Sequence, residues 1–234
     1  LTYKINNLDT PQIGALQNQL VYNLNNCFGN ISLVELIQID NYQDQVAAFI
    51  CNEDCLKHDI EDITVLPTIP KPNSFRDAYA FRQHVSTSRK NRGVDMIPEF
   101  DEFPVFYFSN HNAMFADKET IELMPDHFHR LDYELEFAIV IGKGGKNILS
   151  KDADNHIAGF CILNDLSARR LQLEEMKLNL GPSKGKDFAN IIGPYLVTSD
   201  ELEAKSIDTT FGKKYDLKME CFVNGELLSE GNTK

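Results

Sequence analysis

The chain has 234 residues, which is long enough for one good core and a small companion domain. Hydrophobic residues make up 42% and charged residues 25%, the composition of an ordinary globular protein. Lys and Arg total 23 against 35 for Asp and Glu, and the net charge of −12 argues against nucleic acid as a partner, since a phosphate backbone attracts cationic surfaces. No segment holds the ~18 uninterrupted apolar residues of a transmembrane helix. The first residues also lack the pattern of a signal peptide. We therefore expect no membrane partner and a cytoplasmic location.

The cysteines are five in number and irregularly spaced. An odd number without a regular framework favours free thiols in a reducing compartment over disulfides. Cys51 and Cys55 resemble half of a zinc site, but no second Cys or His pair lies at a suitable spacing, so structural zinc is not expected.

Three prolines in residues 66–74 divide the chain, because proline fixes φ and removes a backbone donor. This segment is predicted to be an extended connector. It separates a small N-terminal domain, residues 1–68, from a domain of residues 69–234 that carries the residues with chemical character.

The first part of the small domain, residues 13–24, has two interpretations. Pro11 before leucines at i, i+4 spacing favours a helix. A hairpin that turns near Asn18 and Gln19 is equally compatible with the residues of the segment.

The next part of the small domain contains a capping-box pattern formed by Ser32 and Glu35, which predicts the start of a helix. A turn near Asn41 would split the segment that follows. The alternative is a strand over residues 31–39, which its β-branched residues also allow.

The second domain alternates short apolar segments with polar loops. Within it, a helix is clearly predicted only for residues 167–176. The Asn224-Gly225 pair predicts a tight hairpin turn. Few crossover helices are present, so the fold class is α+β and predominantly β rather than a doubly wound parallel sheet. Strands are predicted over residues 103–108, 131–141, 156–163, 193–198 and 215–223.

Acidic residues in this domain fall where a cation could bind them. Glu134 and Glu136 are two apart in a predicted strand and so share one face. Asp165 ends an apolar strand, and a buried charge needs a partner, which is either a salt bridge to Arg169 or a metal shared with the two glutamates. Residues 76–84, if helical, place Asp77 two turns from a histidine on the same face.

Four groups of residues resemble the fumarylacetoacetate hydrolase family, in particular its bacterial-type members, in order and spacing. The resemblance runs from about residue 75 to the end of the chain, and the third and fourth groups are quite specific. The groups are Asp77-x-Tyr79-x-x-Arg82-Gln83-His84, Glu134-x-Glu136, Asn164-Asp165-x-Ser167-Ala168-Arg169-x-x-Gln172 and Gly181-Pro182-x-x-Gly185-Lys186-x-Phe188.

The resemblance implies a mixed β-roll catalytic domain, a small N-terminal α/β domain with a hairpin at residues 13–24, and a homodimer. It makes His84 the general base. It implies a site for Mg²⁺, Mn²⁺ or Ca²⁺ on Asp77, Glu134, Glu136 and Asp165. The implied catalytic and substrate contacts are Arg169, Gln172 and Lys186, with Tyr79 and Tyr107 in the pocket wall.

Elementary chemistry is consistent with these roles. An all-oxygen ligand set selects hard cations over zinc or copper. Four carboxylates carry −4 against +2, and Lys186 and Arg169 would offset the remainder. A metal with open positions acts as a Lewis acid beside the bond that breaks.

The predicted function is that of a divalent-metal-dependent hydrolase that cleaves a C–C bond of an acylpyruvate or related β-diketo acid. His84 would activate water, and the metal would stabilise the departing enolate. A lyase on the same scaffold, such as an oxaloacetate decarboxylase or a sugar-acid dehydratase, is the alternative. A non-catalytic metal-binding protein is a third possibility.

Two departures from the family pattern stand out. Members usually continue with a further sheet and a Gly-Thr segment, so we expect the C-terminal part to be missing beyond Lys234 rather than the protein to be defective. No acidic residue close to His84 is available to orient it. We also expect His127 to be exposed on a loop, and Asn110 and His111 to line the pocket.

Overall fold

The computed structural model describes residues 1–5, 10–52 and 54–234. In the N-terminal part, five strands form one antiparallel sheet in the order β4-β3-β2-β1-β5. The strands are β1 (Thr2–Ile5), β2 (Gln12–Gln17), β3 (Leu20–Asn23), β4 (Lys57–Asp59) and β5 (Ile63–Val65), and the helices are α1 (Asn25–Phe28), α2 (Leu33–Leu36) and α3 (Tyr42–Ile50).

The segment of residues 13–24 is a hairpin, which confirms the interpretation favoured by the family resemblance. Asn18 and Gln19 form its turn with φ of 49° and 68°, as a two-residue turn between twisted strands requires. A Cβ on Gly14 would lie 2.5 Å from Val21 Cγ1. Glycine therefore allows β2 and β3 to pack tightly in this hairpin.

The capping box is confirmed and begins helix α2. The Glu35 backbone N–H donates to Ser32 Oγ at 3.3 Å, and the Ser32 backbone N–H donates to Glu35 Oε2 at 2.7 Å. The strand alternative for residues 31–39 is wrong, because these reciprocal bonds satisfy the helix terminus. The predicted turn at Asn41 is also confirmed, since this residue has φ of 55° and precedes α3.

In the second part of the chain, a four-stranded sheet has the order β10-β11-β13-β8, with only the β13–β8 pair parallel. Four two-stranded ladders surround it: β6–β7, β9–β12, β14–β15 and β16–β17. The strands are β6 (Arg76–Asp77), β7 (Tyr107–Phe108), β8 (Met114–Phe115), β9 (Leu131–Asp132), β10 (Leu135–Ile141), β11 (Ile157–Asp165), β12 (Ser167–Ala168), β13 (Asn190–Val197), β14 (Ser206–Thr209), β15 (Gly212–Tyr215), β16 (Lys218–Val223) and β17 (Glu226–Asn232). The helices are α4 (Arg82–Asn91), α5 (Glu99–Glu102) and α6 (Arg169–Glu175). The fold is α+β and predominantly β, as predicted.

Several predicted elements are shorter than expected. The strand at residues 103–108 is reduced to β7, and Pro104 within that segment has no N–H to donate. The strand at residues 131–141 is broken, because Asp132 pairs with β12 whereas Leu135 begins pairing with β11. The Asn224-Gly225 turn is confirmed and connects β16 to β17.

The hydrophobic core draws on both sides of the connector. Leu36 on α2 and Ile13 on β2 cluster with Ile69 and with Ala158 on β11. Residues 66–74 contain neither helix nor strand. The domain boundary at residue 68 stays a prediction. In the described part of the chain, no helix is long and apolar enough to cross a membrane.

Replacing Leu36 by alanine should lower the free energy of unfolding by about 2–5 kcal/mol, because the side chain is 2% exposed and its removal leaves a cavity between the two sheets. Urea titration followed by circular dichroism measures the change. The exposed neighbour Gln38 provides the control, since Gln38→Ala should change the same free energy by less than about 0.5 kcal/mol. Equal effects of the two substitutions would contradict this account of the core.

Candidate metal centre and adjoining cleft

Four carboxylates converge at one edge of the central sheet. Asp77 lies on β6, Glu136 on β10 and Asp165 at the end of β11, and Glu134 immediately precedes β10. One oxygen from each lies within 4.8 Å of the others. Glu134 and Asp165 exchange backbone hydrogen bonds of 3.1 Å in both directions. Strand pairing therefore brings together acids that are distant in the sequence.

Two positively charged side chains, those of Lys186 and Arg169, contact this cluster. Lys186 Nζ donates to Asp165 Oδ2 at 3.0 Å and lies 2.5 Å from Glu134 Oε2. Arg169 binds the other Glu134 oxygen through Nη1 at 2.6 Å and binds Asp132 through Nε at 2.7 Å. The Lys186 side chain is only 3% exposed, so its charge acts with little screening by solvent.

Tyr107 connects two of the acids. Its hydroxyl contacts Asp77 Oδ2 closely and Asp165 Oδ2 at 3.3 Å. Burial, the hydrogen bond to Asp77 and the surrounding carboxylates raise the pKa of the phenol far above its usual range. Tyr107 therefore keeps its proton and remains a hydrogen-bond donor.

Without a bound cation, the surroundings of the cluster favour the protonated forms of two of its acids. Burial, followed by repulsion from Asp77 and Asp165, raises the pKa of Glu136 to about 9. Burial also raises the pKa of Asp165 to about 7, against the opposing effect of Lys186. For Glu134, the attraction of Lys186 and Arg169 exceeds the effect of burial, and the pKa is lowered. A further positive charge beside the cluster would favour the ionised forms of Glu136 and Asp165.

The donor set fits a divalent cation. A hard ion with oxygen ligands at about 2.0–2.6 Å places opposite ligands about 4–5 Å apart, and the four carboxylates have this spacing. Asp165 is fully buried, yet its Oδ1 has no hydrogen-bond partner among the described residues. Such an oxygen is costly to bury alone and is suited to a metal.

A polar cleft of about 300 Å³ opens beside the cluster. Tyr107 and Lys186, which contact Asp165, form part of its lining. Asn110, His111 and Ser183 lie on the cleft wall as well, and the first two were expected there from the sequence. The cleft adjoins the acids through Tyr107 and Lys186, and its volume suits a small polar molecule.

The structure does not bring every predicted site residue to the cluster. Asp77 and His84 do not share a helix, because Asp77 pairs with Tyr107 in β6 and α4 begins only at Arg82. His84 is exposed on the first turn of α4. Tyr79 is 51% exposed and stacks on Phe100 at 6.0 Å. Their predicted roles as base and pocket wall stay predictions.

Two acidic residues that support the site were not identified from the sequence. Asp132 holds the guanidinium of Arg169, which also donates to Gln172 Oε1 at 3.2 Å. Glu175 accepts three backbone hydrogen bonds from the loop that precedes Lys186. Asp132 lies two residues before Glu134, and this spacing was the available signal. No signal in the sequence indicated Glu175, because its partners are the backbone amides of a loop.

The expectation for His127 was wrong. This side chain is 4% exposed and stacks on Phe188 with ring centroids 4.1 Å apart. Phe188 follows Lys186 by two residues, so the stacking packs the end of this loop against residues 125–128.

The affinity for Mn²⁺ should rise between about pH 6 and pH 9. Without a cation the pKa of Asp165 is about 7 and that of Glu136 about 9, so metal binding must displace protons below these values. For each proton that the metal displaces, the dissociation constant should fall by up to about tenfold for every unit by which the pH rises. The raised pKa of Glu136 also makes the metal-free protein less stable as the pH rises from 4.5, the ordinary pKa of a glutamate, towards 9.

Calorimetric titration in two buffers of different ionisation enthalpy measures both the affinity and the protons released. Asp101→Asn is the control, because this exposed acid pairs with Arg82 outside the cluster and should leave both quantities unchanged. An affinity independent of pH, with no proton release, would contradict the assigned protonation of the cluster.

Comparison with known proteins identifies the family of the chain. The family model described as fumarylacetoacetate (FAA) hydrolase C-terminal matches residues 73–234. An uncharacterized protein from Methanocaldococcus jannaschii is 36% identical over 138 residues, which cover 58% of this chain and 51% of that protein. A mitochondrial oxaloacetate tautomerase from Homo sapiens is 37% identical over 111 residues, covering 47% of this chain and 32% of that protein. The chain thus matches about half or less of the length of these relatives.

The fold has solved counterparts. The crystal structure of maleylpyruvate hydrolase from a Sphingobium species, in complex with manganese(II) ion and pyruvate, has a TM-score of 0.68 and 15% identity, and the match covers 99% of this chain and 76% of that one. At this level of identity the likeness shows the fold alone. The family match extends over most of the chain and contains all four acids, so the chain belongs to the fumarylacetoacetate hydrolase family.

Proposed function

We propose that the chain is a divalent-metal-dependent hydrolase that cleaves a carbon–carbon bond of an acylpyruvate or a related β-diketo acid. Water adds to the acyl carbonyl, the bond to the neighbouring carbon breaks, and a carboxylic acid and a 2-keto acid are released. The partner of the site is a small keto acid, and Mg²⁺, Mn²⁺ or Ca²⁺ suits its ligands. We also retain the homodimer and the cytoplasmic location as proposals.

The observation that supports this function best is the convergence of four carboxylates on a buried ammonium that also lines a polar cleft. An enolate is anionic, and its oxygens need positive charge or donors in a place from which water is largely excluded. Lys186 and Tyr107 offer such donors, since both line the cleft and both contact Asp165.

Different residues of the chain would have different roles in this reaction. Asp77, Glu134, Glu136 and Asp165 would hold the cation, which supplies a Lewis acid for the oxygens of the keto acid. Lys186 would stabilise the oxyanion at the carbonyl under attack. Arg169 is fixed between Asp132 and Glu134, and with Gln172 it would orient the substrate.

A second candidate is keto–enol tautomerisation of oxaloacetate. The human relative named for this activity is 37% identical over the matched segment. Tautomerisation moves a proton between carbon and oxygen and needs no attacking water. Tautomerisation therefore does not require His84 to activate water, and the exposed position of this histidine on α4 is compatible with the reaction.

With Mn²⁺ present, at least one acylpyruvate should lose its enol absorbance and release pyruvate in equal amount, because the site stabilises the enolate that leaves. Chelation with EDTA should stop the reaction. A panel of acylpyruvates, fumarylpyruvate and oxaloacetate, with pyruvate and CO₂ measured separately, identifies the reaction.

Each outcome of the panel is distinct. A change in oxaloacetate absorbance without pyruvate or CO₂ indicates a tautomerase, and release of both indicates a decarboxylase. Tight Mn²⁺ binding with no turnover of any of these keto acids would refute the hydrolase proposal and favour a non-catalytic metal protein.

Two histidines can be compared directly as the general base. If His84 activates water, His84→Ala should lower kcat for hydrolysis by about 10²–10⁴-fold while Mn²⁺ affinity stays unchanged. His111→Gln provides the matched comparison, because this histidine already lines the cleft. An active His84→Ala protein together with an inactive His111→Gln protein would transfer the role of base to His111.

A further inference from the structure

The loop that carries Lys186 is held by one side chain from α6. Glu175 Oε1 accepts hydrogen bonds from the backbone N–H groups of Ser183 at 2.7 Å and Gly185 at 3.0 Å, and Oε2 accepts from Lys184 N–H at 2.9 Å. Three consecutive amides thus point at a single carboxylate.

This arrangement has the form of an anion-binding loop in which the protein supplies the anion. Successive backbone N–H groups create a concave positive surface, which commonly binds phosphate or carboxylate ligands. Hydrogen bonds to an ionised acceptor are about twice as strong as neutral ones. Glu175 therefore fixes the path of residues 183–185 instead of leaving these amides to solvent.

A second contact fixes the same loop against α6. Ala168 N–H donates to the Gly185 carbonyl at 2.9 Å. A Cβ on Gly185 would lie 2.8 Å from both the Cβ and the backbone nitrogen of Gln172, so only glycine allows this close approach. The loop is consequently held at both the start and the end of the helix.

Lys186 follows immediately, and its ammonium bridges Glu134 and Asp165. A lysine side chain has many rotamers, and a defined position for its ammonium requires a defined backbone at its origin. The Lys186 backbone N–H donates to the Ser183 carbonyl at 2.9 Å, which closes a turn over the three amides bound by Glu175.

We propose that Glu175 is a positioning residue that places the Lys186 ammonium between the metal-binding carboxylates without touching substrate. Its effect on turnover rests on the proposed function, whereas its effect on the position of Lys186 does not. The two effects can therefore be measured separately.

Acetylation of lysines, quantified by mass spectrometry, reports how well the Lys186 ammonium is shielded in its position between the carboxylates. In the wild-type chain Lys186 should react far more slowly than Lys118, whose side chain is 89% exposed. Glu175→Ala should raise the rate at Lys186 by about tenfold or more relative to Lys118, because the strong hydrogen bonds that hold its loop are lost. Glu175→Gln keeps an acceptor for part of the loop and should give a smaller rise.

Glu174→Gln is the matched control, since among the described residues this neighbouring glutamate forms an ion pair with Arg170 alone, and both side chains are more than half exposed. It should leave Lys186 protected. With a keto acid that the wild type turns over, Glu175→Ala should lower kcat more than it changes KM, because an oxyanion donor acts in the transition state.

Continued protection of Lys186 in both Glu175 variants would overturn the proposal, as would an equal rise in the Glu174→Gln protein. If Glu175→Ala does not fold, the result with Glu175→Gln decides. If the wild type turns over no keto acid, the proposed function fails but the acetylation rates still decide the role of Glu175.

Discussion

Repulsion between like charges is the constraint on which the rest of this structure depends. Four carboxylates with oxygens within 4.8 Å of one another would not remain ionised in a partly buried site without compensation. The chain supplies one ammonium, one guanidinium and a phenol that keeps its proton, and the pKa values of Glu136 and Asp165 are raised. The positive side chains offset part of the negative charge, and a divalent cation at the cluster could offset more of it.

The architecture separates the negative charges from the positive ones. Strands β6, β10 and β11 or the residues beside them deliver the acids, whereas α6 and the loop after it deliver the cations. Arg169, Gln172 and Glu175 recur every three residues on α6, so they lie along neighbouring turns of one side. The first fixes Glu134, the second packs against Gly185, and the third holds the loop of Lys186. One short helix thus organises the positive half of the site.

Local signals in the sequence predicted local structure correctly. The capping box of Ser32 and the Asn224-Gly225 turn depend on atoms a few residues apart, and both are present. The grouping of the acids was also predictable, because the family motifs preserve them. The placement of Asp77 on a strand was not, since its conformation is set by pairing with Tyr107, 30 residues away. The role of Glu175 was not predictable for a different reason, because its partners are backbone amides that no side-chain pattern reveals.

The same electrostatic arrangement would suit either of the two proposed reactions, because hydrolysis and tautomerisation of keto acids both pass through an enolate. What separates them is whether a water molecule is activated beside the carbonyl, and that depends on a base outside the carboxylate cluster. His84 is exposed on the first turn of α4, whereas His111 lines the cleft with Lys186. In the proposed reactions the carboxylates, Lys186 and Arg169 would determine which intermediate is stabilised, and the choice of base would determine what becomes of it.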